Sequence, residues 1–172
     1  MKAAFIILDC SGSIVSDDTS KIGLLNDLVR SLIETLLGEG LMSIRVIAYA
    51  NNAKVYCECK GMNTYLDIPS SKFGGRSNLG KAYELVGEII KQEELSLEKC
   101  AIMLISDGEA TDNYKLKLEH LDPENKTYRI ALSIGTLHLT TEKHANSYQR
   151  CFNKGYDDRD DFIDAAVEFL DE

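Results

Sequence analysis

Apolar residues along this chain fall into two recurring patterns: short, nearly continuous runs rich in β-branched residues, and longer stretches in which they return every three or four positions. The short runs predict strands at residues 2–8, 42–50, 55–60, 101–105 and 128–134, with a shorter one at 150–154. Ile22, Leu25, Leu28, Val29, Leu32, Ile33 and Leu36 form one helical stripe, with Thr19 or Ser20 as its cap and Gly38 as its stop. Ala82, Leu85, Val86, Ile89 and Ile90 form a second, and Phe162, Ile163, Ala166, Val167, Phe169 and Leu170 a third. The acidic run 157–161 ahead of the third suits the positive end of a helix dipole and reads as a solvated helix start. Residues 114–121 are ambiguous in period, a short helix being one reading, and residues 136–149 carry no assignable pattern.

Strands that alternate with helices imply a parallel sheet covered on both faces, and an uninterrupted apolar run such as 3–8 is the mark of a central, buried strand. The runs 42–50 and 55–60 are separated only by "NNAK", which predicts an antiparallel hairpin. The expected fold is therefore α/β: a Rossmann-like three-layer sandwich with a mostly parallel central sheet, one antiparallel edge strand and helices on both faces. Residues 1–172 read as a single domain, a length that buries a full core without staples.

In such sheets the working site lies beyond the carboxyl ends of the strands. The first apolar run stops at Asp9, and Ser11 and Ser13 follow at alternate positions, so that an extended loop turns all three to one side. The run ending at Ile105 leads into "ISDGEATD", where Asp107 precedes a glycine that lets the chain turn. In "GGRSNLGKA", Gly74 and Gly75 loosen the backbone before a helix starting near Asn78, which points Ser77 toward a helix entrance. Three loops thus converge with two carboxylates and three hydroxyls. Hard oxygen donors with no His or Cys among them suit Mg²⁺, Mn²⁺ or Ca²⁺ rather than zinc or copper.

Composition removes several alternatives. A formal charge of −9 repels a phosphate backbone, so nucleic acid is not an expected partner. No apolar stretch approaches the roughly 20 residues needed to span a bilayer. The N-terminus lacks the apolar segment and cleavage site of a secretory signal, and a cytoplasmic location without membrane association is expected. Five cysteines, Cys10, Cys57, Cys59, Cys100 and Cys151, are an odd number at irregular spacing and do not read as a disulfide framework. Cys57 and Cys59 share a strand face, but no second pair or nearby His completes a zinc site. Cys10 reads as a small filler beside the strand end rather than a reactive thiol. His120, His138 and His144 have no obvious nucleophile beside them.

Asp9-Cys10-Ser11-Gly12-Ser13 resembles the D-x-S-x-S of the von Willebrand factor type A domain. That family's G-G-x-T-x-T-G-x-A-L is similar to Gly74-Gly75-Arg76-Ser77-Asn78-Leu79-Gly80-Lys81-Ala82-Tyr83, and its acid-glycine pair to Asp107-Gly108. Ser77 stands for the ligand threonine and keeps the hydroxyl, Leu79 replaces a nonligating threonine, and Tyr83 replaces a leucine. The resemblance covers nearly the whole chain in element order. It implies a metal-ion-dependent adhesion site in which Asp9, Ser11, Ser13, Ser77 and Asp107 hold an ion directly or through water, most simply Mg²⁺. A partner protein's Glu or Asp completes the shell. Binding rather than catalysis is implied. Arg76, next to Ser77, reads either as a guide for the incoming carboxylate or as a plain solvated arginine. Compact size and "ISDGEATDN" look closest to the intracellular bacterial branch associated with tellurium resistance.

Taken singly, an Asp after a strand, a Ser in a turn or an Asp-Gly is usually a turn or cap residue. Asp112 either braces the third loop by a hydrogen bond or is simply such a turn residue. Two enzyme readings compete. Asp9 with Asp107 and Asp112 resembles the haloacid-dehalogenase-type phosphohydrolases, where an Asp attacks phosphorus beside Mg²⁺. Those enzymes generally need a second acid two residues on, and that place is Ser11. Gly75 to Lys81 reads G-x-x-x-x-G-K, but Ala82 follows where a nucleotide loop needs Ser or Thr, and "DIPSSKF" is a poor buried strand before it.

Overall fold

A computed structural model describes residues 1–11, 19–41, 43–59, 75–107, 110–134 and 147–171. Six strands form one sheet: β1 (Ala3–Asp9), β2 (Ile44–Tyr49), β3 (Ala53–Cys59), β4 (Cys100–Ser106), β5 (Tyr128–Ser133) and β6 (Arg150–Phe152). Their order is β3-β2-β1-β4-β5-β6, parallel throughout except for β3 against β2. The helices are α1 (Thr19–Gly38), α2 (Leu79–Gln92), α3 (Tyr114–Leu121) and α4 (Arg159–Asp171). This is the expected sandwich, with its one antiparallel strand at the expected edge.

The two faces follow from the strand period. Ala4, Ile6 and Leu8 of β1 point with Met103 and Ile105 of β4 into a core closed by Leu28, Leu32 and Leu36 of α1 and Phe162 and Phe169 of α4. Phe5 and Ile7 point with Ile102 and Leu104 into a second core closed by Tyr83 and Val86 of α2 and Tyr114 and Leu118 of α3. All seven residues of β1 and all seven of β4 are buried, which is why both read as unbroken apolar runs. Residues 114–121 are indeed helical.

α1 ends at Gly38, the expected stop, which is its last helical residue. Gly40, at φ +91°, takes the left-handed conformation, with its N–H on the Leu37 carbonyl (3.0 Å) and the Leu41 N–H on that of Leu36 (2.9 Å). This is a Schellman closure, and buried Leu41 supplies its apolar contact. The expected Thr19 or Ser20 cap falls on side chains outside the described set. The strands at 42–50, 55–60 and 150–154 are shifted or shortened to the bounds above. The helix expected from Phe162 starts at Arg159, after a 3₁₀ turn, Gly155–Asp158.

One loop anchor was not expected. Asp122 caps the end of α3 and accepts hydrogen bonds from the Lys126 N–H (2.7 Å), the Thr127 N–H (2.8 Å) and the Thr127 hydroxyl (2.6 Å). Burial alone would raise its carboxyl, but these donors outweigh burial and hold it below the ordinary range. Asp122 therefore stabilises the fold above the ordinary carboxylate pKa and stops doing so as pH falls through its own lowered value. Asp122→Asn is expected to cost about 2 kcal/mol at neutral pH, the size of hydrogen bonds to a charged group. The gap from the parent should close as pH drops below about 4 in urea unfolding measured across pH.

Candidate functional site

Chain order makes the site. From β1 the chain moves outward to β2 and β3, then crosses back to β4 on the other side of β1, so the strand order reverses between β1 and β4. Beyond the carboxyl ends of that pair lies the crevice such sheets use. Asp9 ends β1 with no solvent exposure, and Asp107 follows β4 directly, half-buried.

Every oxygen of the Asp9 carboxylate is engaged. Its Oδ1 accepts from the Ser11 N–H (2.9 Å), and its Oδ2 accepts from the Ser77 hydroxyl (3.2 Å) and the Ser106 hydroxyl (2.8 Å). Burial raises the Asp9 carboxyl above its ordinary range; hydrogen bonds from Ser11 and Ser106 oppose the rise and the negative charge of Asp107 adds to it. Two carboxylates and several hydroxyls in a buried crevice form a hard-oxygen donor set that fits a small divalent cation and offers nothing to a soft one.

Ser77 is fixed by its neighbours rather than by its own helix. Its N–H donates to the Thr111 hydroxyl (3.2 Å), and its carbonyl accepts from the Thr111 N–H (2.7 Å). The same Thr111 hydroxyl donates to Asn78 Oδ1 (3.0 Å). Asn78 in turn donates through its N–H to the Ala50 carbonyl and through Nδ2 to the Asn51 carbonyl, both at 2.9 Å. Asp112 accepts from the Gly80 N–H (2.8 Å) in the first turn of α2. It thus braces the loop after β4 against α2, the first of its two expected roles.

The structure brings Asp9, Ser11 and Ser77 into one hydrogen-bonded group, with Asp107 close enough to act on Asp9 by its charge. Ser13, Gly74 and Gly108 lie outside the described residues, as do His138 and His144. Arg76 is exposed at the rim, its N–H on Asn51 Oδ1 (3.1 Å). Cys10 is buried and its thiol is pushed up to about 12 by burial and by Asp9, so it is the filler it was expected to be. Lys81, which ends the G-x-x-x-x-G-K stretch, stands in solvent and pairs with Glu84 (2.9 Å).

Ser106 and Tyr49 were not singled out from sequence. Asp9 is in register with Tyr49 on β2, and one step past the Leu8–Ile105 pair it meets Ser106 on β4. The Tyr49 hydroxyl points to the Ser106 hydroxyl at 3.5 Å. The signal was available: with strand period two, Ser106 shares a face with Ile102 and Leu104, as Asp9 does with Phe5 and Ile7.

The comparisons with known proteins agree with this architecture. No curated protein matches the chain. Among solved structures, an aerotolerance-related membrane protein from Bacteroides fragilis superposes over 100% of both chains with a TM-score of 0.70 at 15% identity. BatB from Bacteroides thetaiotaomicron does so over 100% of both with a TM-score of 0.72 at 14% identity. Proximal thread matrix protein 1 from the mussel byssus, solved with zinc in its metal-ion-dependent adhesion motif, aligns over 99% of this chain and 48% of its own with a TM-score of 0.68 at 16% identity. These likenesses establish the fold. The family itself is fixed by sequence: the model of the von Willebrand factor type A domain matches residues 4–109, more than half of the 172 residues, from β1 through the loop after β4. The chain belongs to the von Willebrand factor type A domain family.

Proposed function

We propose that this chain is a metal-ion-dependent protein-binding domain, in which Asp9, Ser11, Ser13, Ser77 and Asp107 hold a divalent cation, directly or through water, and a carboxylate from a partner protein completes the shell. The observation that carries this reading is the fully buried Asp9 carboxylate, placed at the strand-order reversal and met by hydroxyls from the loop before α2 and from the end of β4. Zinc in the motif of the mussel protein supports a divalent occupant. The all-oxygen donor set here favours Mg²⁺, with Mn²⁺ or Ca²⁺ as alternatives. Bound there, the ion supplies a positive charge and an exchangeable position for an anion. The chain's own residues fix that position: Thr111 and Asn78 hold Ser77, Ser106 holds Asp9, and Arg76 stands exposed at the rim to steer an incoming carboxylate.

The domain works without turnover in this reading, since no second acid stands two residues after Asp9. It acts in the cytoplasm, in the branch associated with tellurium resistance, and without nucleic acid or membrane contact. Among the described residues no helix is long and apolar enough to cross a membrane.

The test is the affinity of a partner recovered on the immobilised chain, measured with Mg²⁺, with chelator, and with Asp107→Ala. Chelator and the substitution should each weaken binding at least about tenfold, the scale of a lost charge-assisted contact. Raising salt should weaken it less, because a contact made through the ion is short-ranged and partly dry. Three equal affinities would refute the shared coordination. Phosphatase activity that disappears in Asp9→Asn would refute the reading as a binding domain.

A further inference from the structure

A second chemistry lies away from the oxygen cluster. Cys57 and Cys59 sit on β3, the antiparallel edge strand, opposite Val46 and Ile44 of β2, and both pack on the face closed by α1 and α4. Their Sγ atoms are 3.7 Å apart, with one thiol donating to the other. Cys59 is 1% exposed while Cys57 is half-buried, so the pair has a closed floor and one open side. Neither is in a disulfide.

Two chemistries use such a pair, and distances decide between them. A disulfide needs its sulfurs about 2.05 Å apart and its Cα atoms within about 6.8 Å. Residues two apart on a strand that rises about 3.3 Å per residue already stand near that limit, so closing the bond would buckle β3. An ion held by both sulfurs asks for no such movement: two bonds of about 2.3 Å meeting at the tetrahedral angle keep their sulfurs about 3.8 Å apart. The observed 3.7 Å is already that bite.

We propose that Cys57 and Cys59 form a two-thiolate chelate for a soft cation of the Zn²⁺, Cd²⁺ or Cu⁺ class. On binding, each thiol releases its proton to solvent and each S–H bond is replaced by a metal–sulfur bond; no electrons are transferred. Among the described residues no third His, Cys, Asp or Glu gathers with them. The two sites then differ in donor, oxygen at the strand ends and sulfur on the edge strand, and the softer the ion the more it favours the second.

Cd²⁺ is the probe. Reduced protein in excess Mg²⁺ is titrated with Cd²⁺ and followed by ultraviolet sulfur-to-metal charge-transfer absorption, which oxygen ligands do not produce. The band should saturate at one Cd²⁺ per chain, with release of two protons. Affinity should fall at least about tenfold in Cys57→Ser, because one of two protein ligands is lost. It should be unchanged in Cys151→Ser, which alters another half-buried thiol, and in Asp9→Asn, which separates this site from the oxygen cluster. Cys57→Ala serves as a second variant, with far-ultraviolet circular dichroism as the check on folding. Absence of the band in the parent, its persistence in both Cys57 variants, or its loss in Cys151→Ser would overturn the proposal.

Discussion

Mg²⁺ is expected to raise the thermal stability of the parent, and Asp9→Asn to erase that gain while leaving the metal-free protein close to the parent in stability. The two halves of this result have separate causes. At a Mg²⁺ concentration 100 times its Kd, an ion that binds only the folded chain adds about 2.7 kcal/mol, or roughly 5–10 °C for a domain of this size. Asparagine cannot supply the negative charge that the proposed coordination asks of Asp9, so that gain should vanish.

Without metal, the same substitution removes a negative charge from a site with no solvent exposure and with Asp107 nearby. It keeps the oxygen that accepts from the Ser11 N–H. Its amide nitrogen faces the Ser77 and Ser106 hydroxyls, which can rotate to accept instead of donate. Relief of charge burial and loss of charge-assisted bonds then nearly offset, and the metal-free variant should stay within about 1 kcal/mol of the parent. Thermal melts of both proteins in Mg²⁺ and in chelator read all four values. An undiminished Mg²⁺ shift in the variant would remove Asp9 from the ligand set. A metal-free loss beyond about 3 kcal/mol would make its role structural.

The residues at stake in that experiment also show how far the sequence alone places side chains at the strand ends. Asp9 and Asp107 are legible because each stands at the end of a buried strand that opens with six apolar residues, and because the two recur with Ser77 in the order of one family's motifs. Ser77 is legible through its glycines and the helix that follows. Ser106 and Tyr49 are harder to find, because their closeness to Asp9 depends on the register of three strands, and register is a tertiary fact. The Thr111, Asn78 and Asn51 contacts join residues 27 to 34 positions apart, with no local pattern to announce them. Edge strands blur for a related reason. β3 begins at Ala53 rather than Val55 because one side of it meets solvent, so Ala53 and Lys54 fit the ladder without looking like a strand.

Two glycines of α2 should respond in opposite directions to the same substitution. Gly80→Ala is expected to destabilise the fold by about 1–2 kcal/mol, the scale of a lost helix cap or buried hydrogen bond, and to weaken Mg²⁺ binding as well. A Cβ there would lie 2.7 Å from Asp112 Oδ2 and 3.0 Å from Lys117 Cγ. The Asp112 carboxylate is not at liberty to give way cheaply, since the Gly80 N–H holds that same oxygen at 2.8 Å. Moving it uncaps the first turn of α2 and frees the loop carrying Thr111, which positions Ser77. Gly87 lies two turns further along, where a Cβ meets only Leu121 Cδ1 at 3.4 Å, an ordinary contact. Gly87→Ala should therefore raise stability by about 0.5–1 kcal/mol through the entropy that glycine loses in a helix, and leave Mg²⁺ affinity alone. Urea unfolding of the two variants, each with and without Mg²⁺, decides the matter. If Gly80→Ala stabilises as Gly87→Ala does, Asp112 is a replaceable surface carboxylate, and the brace between α2 and the loop after β4 is not what holds Ser77 at the site.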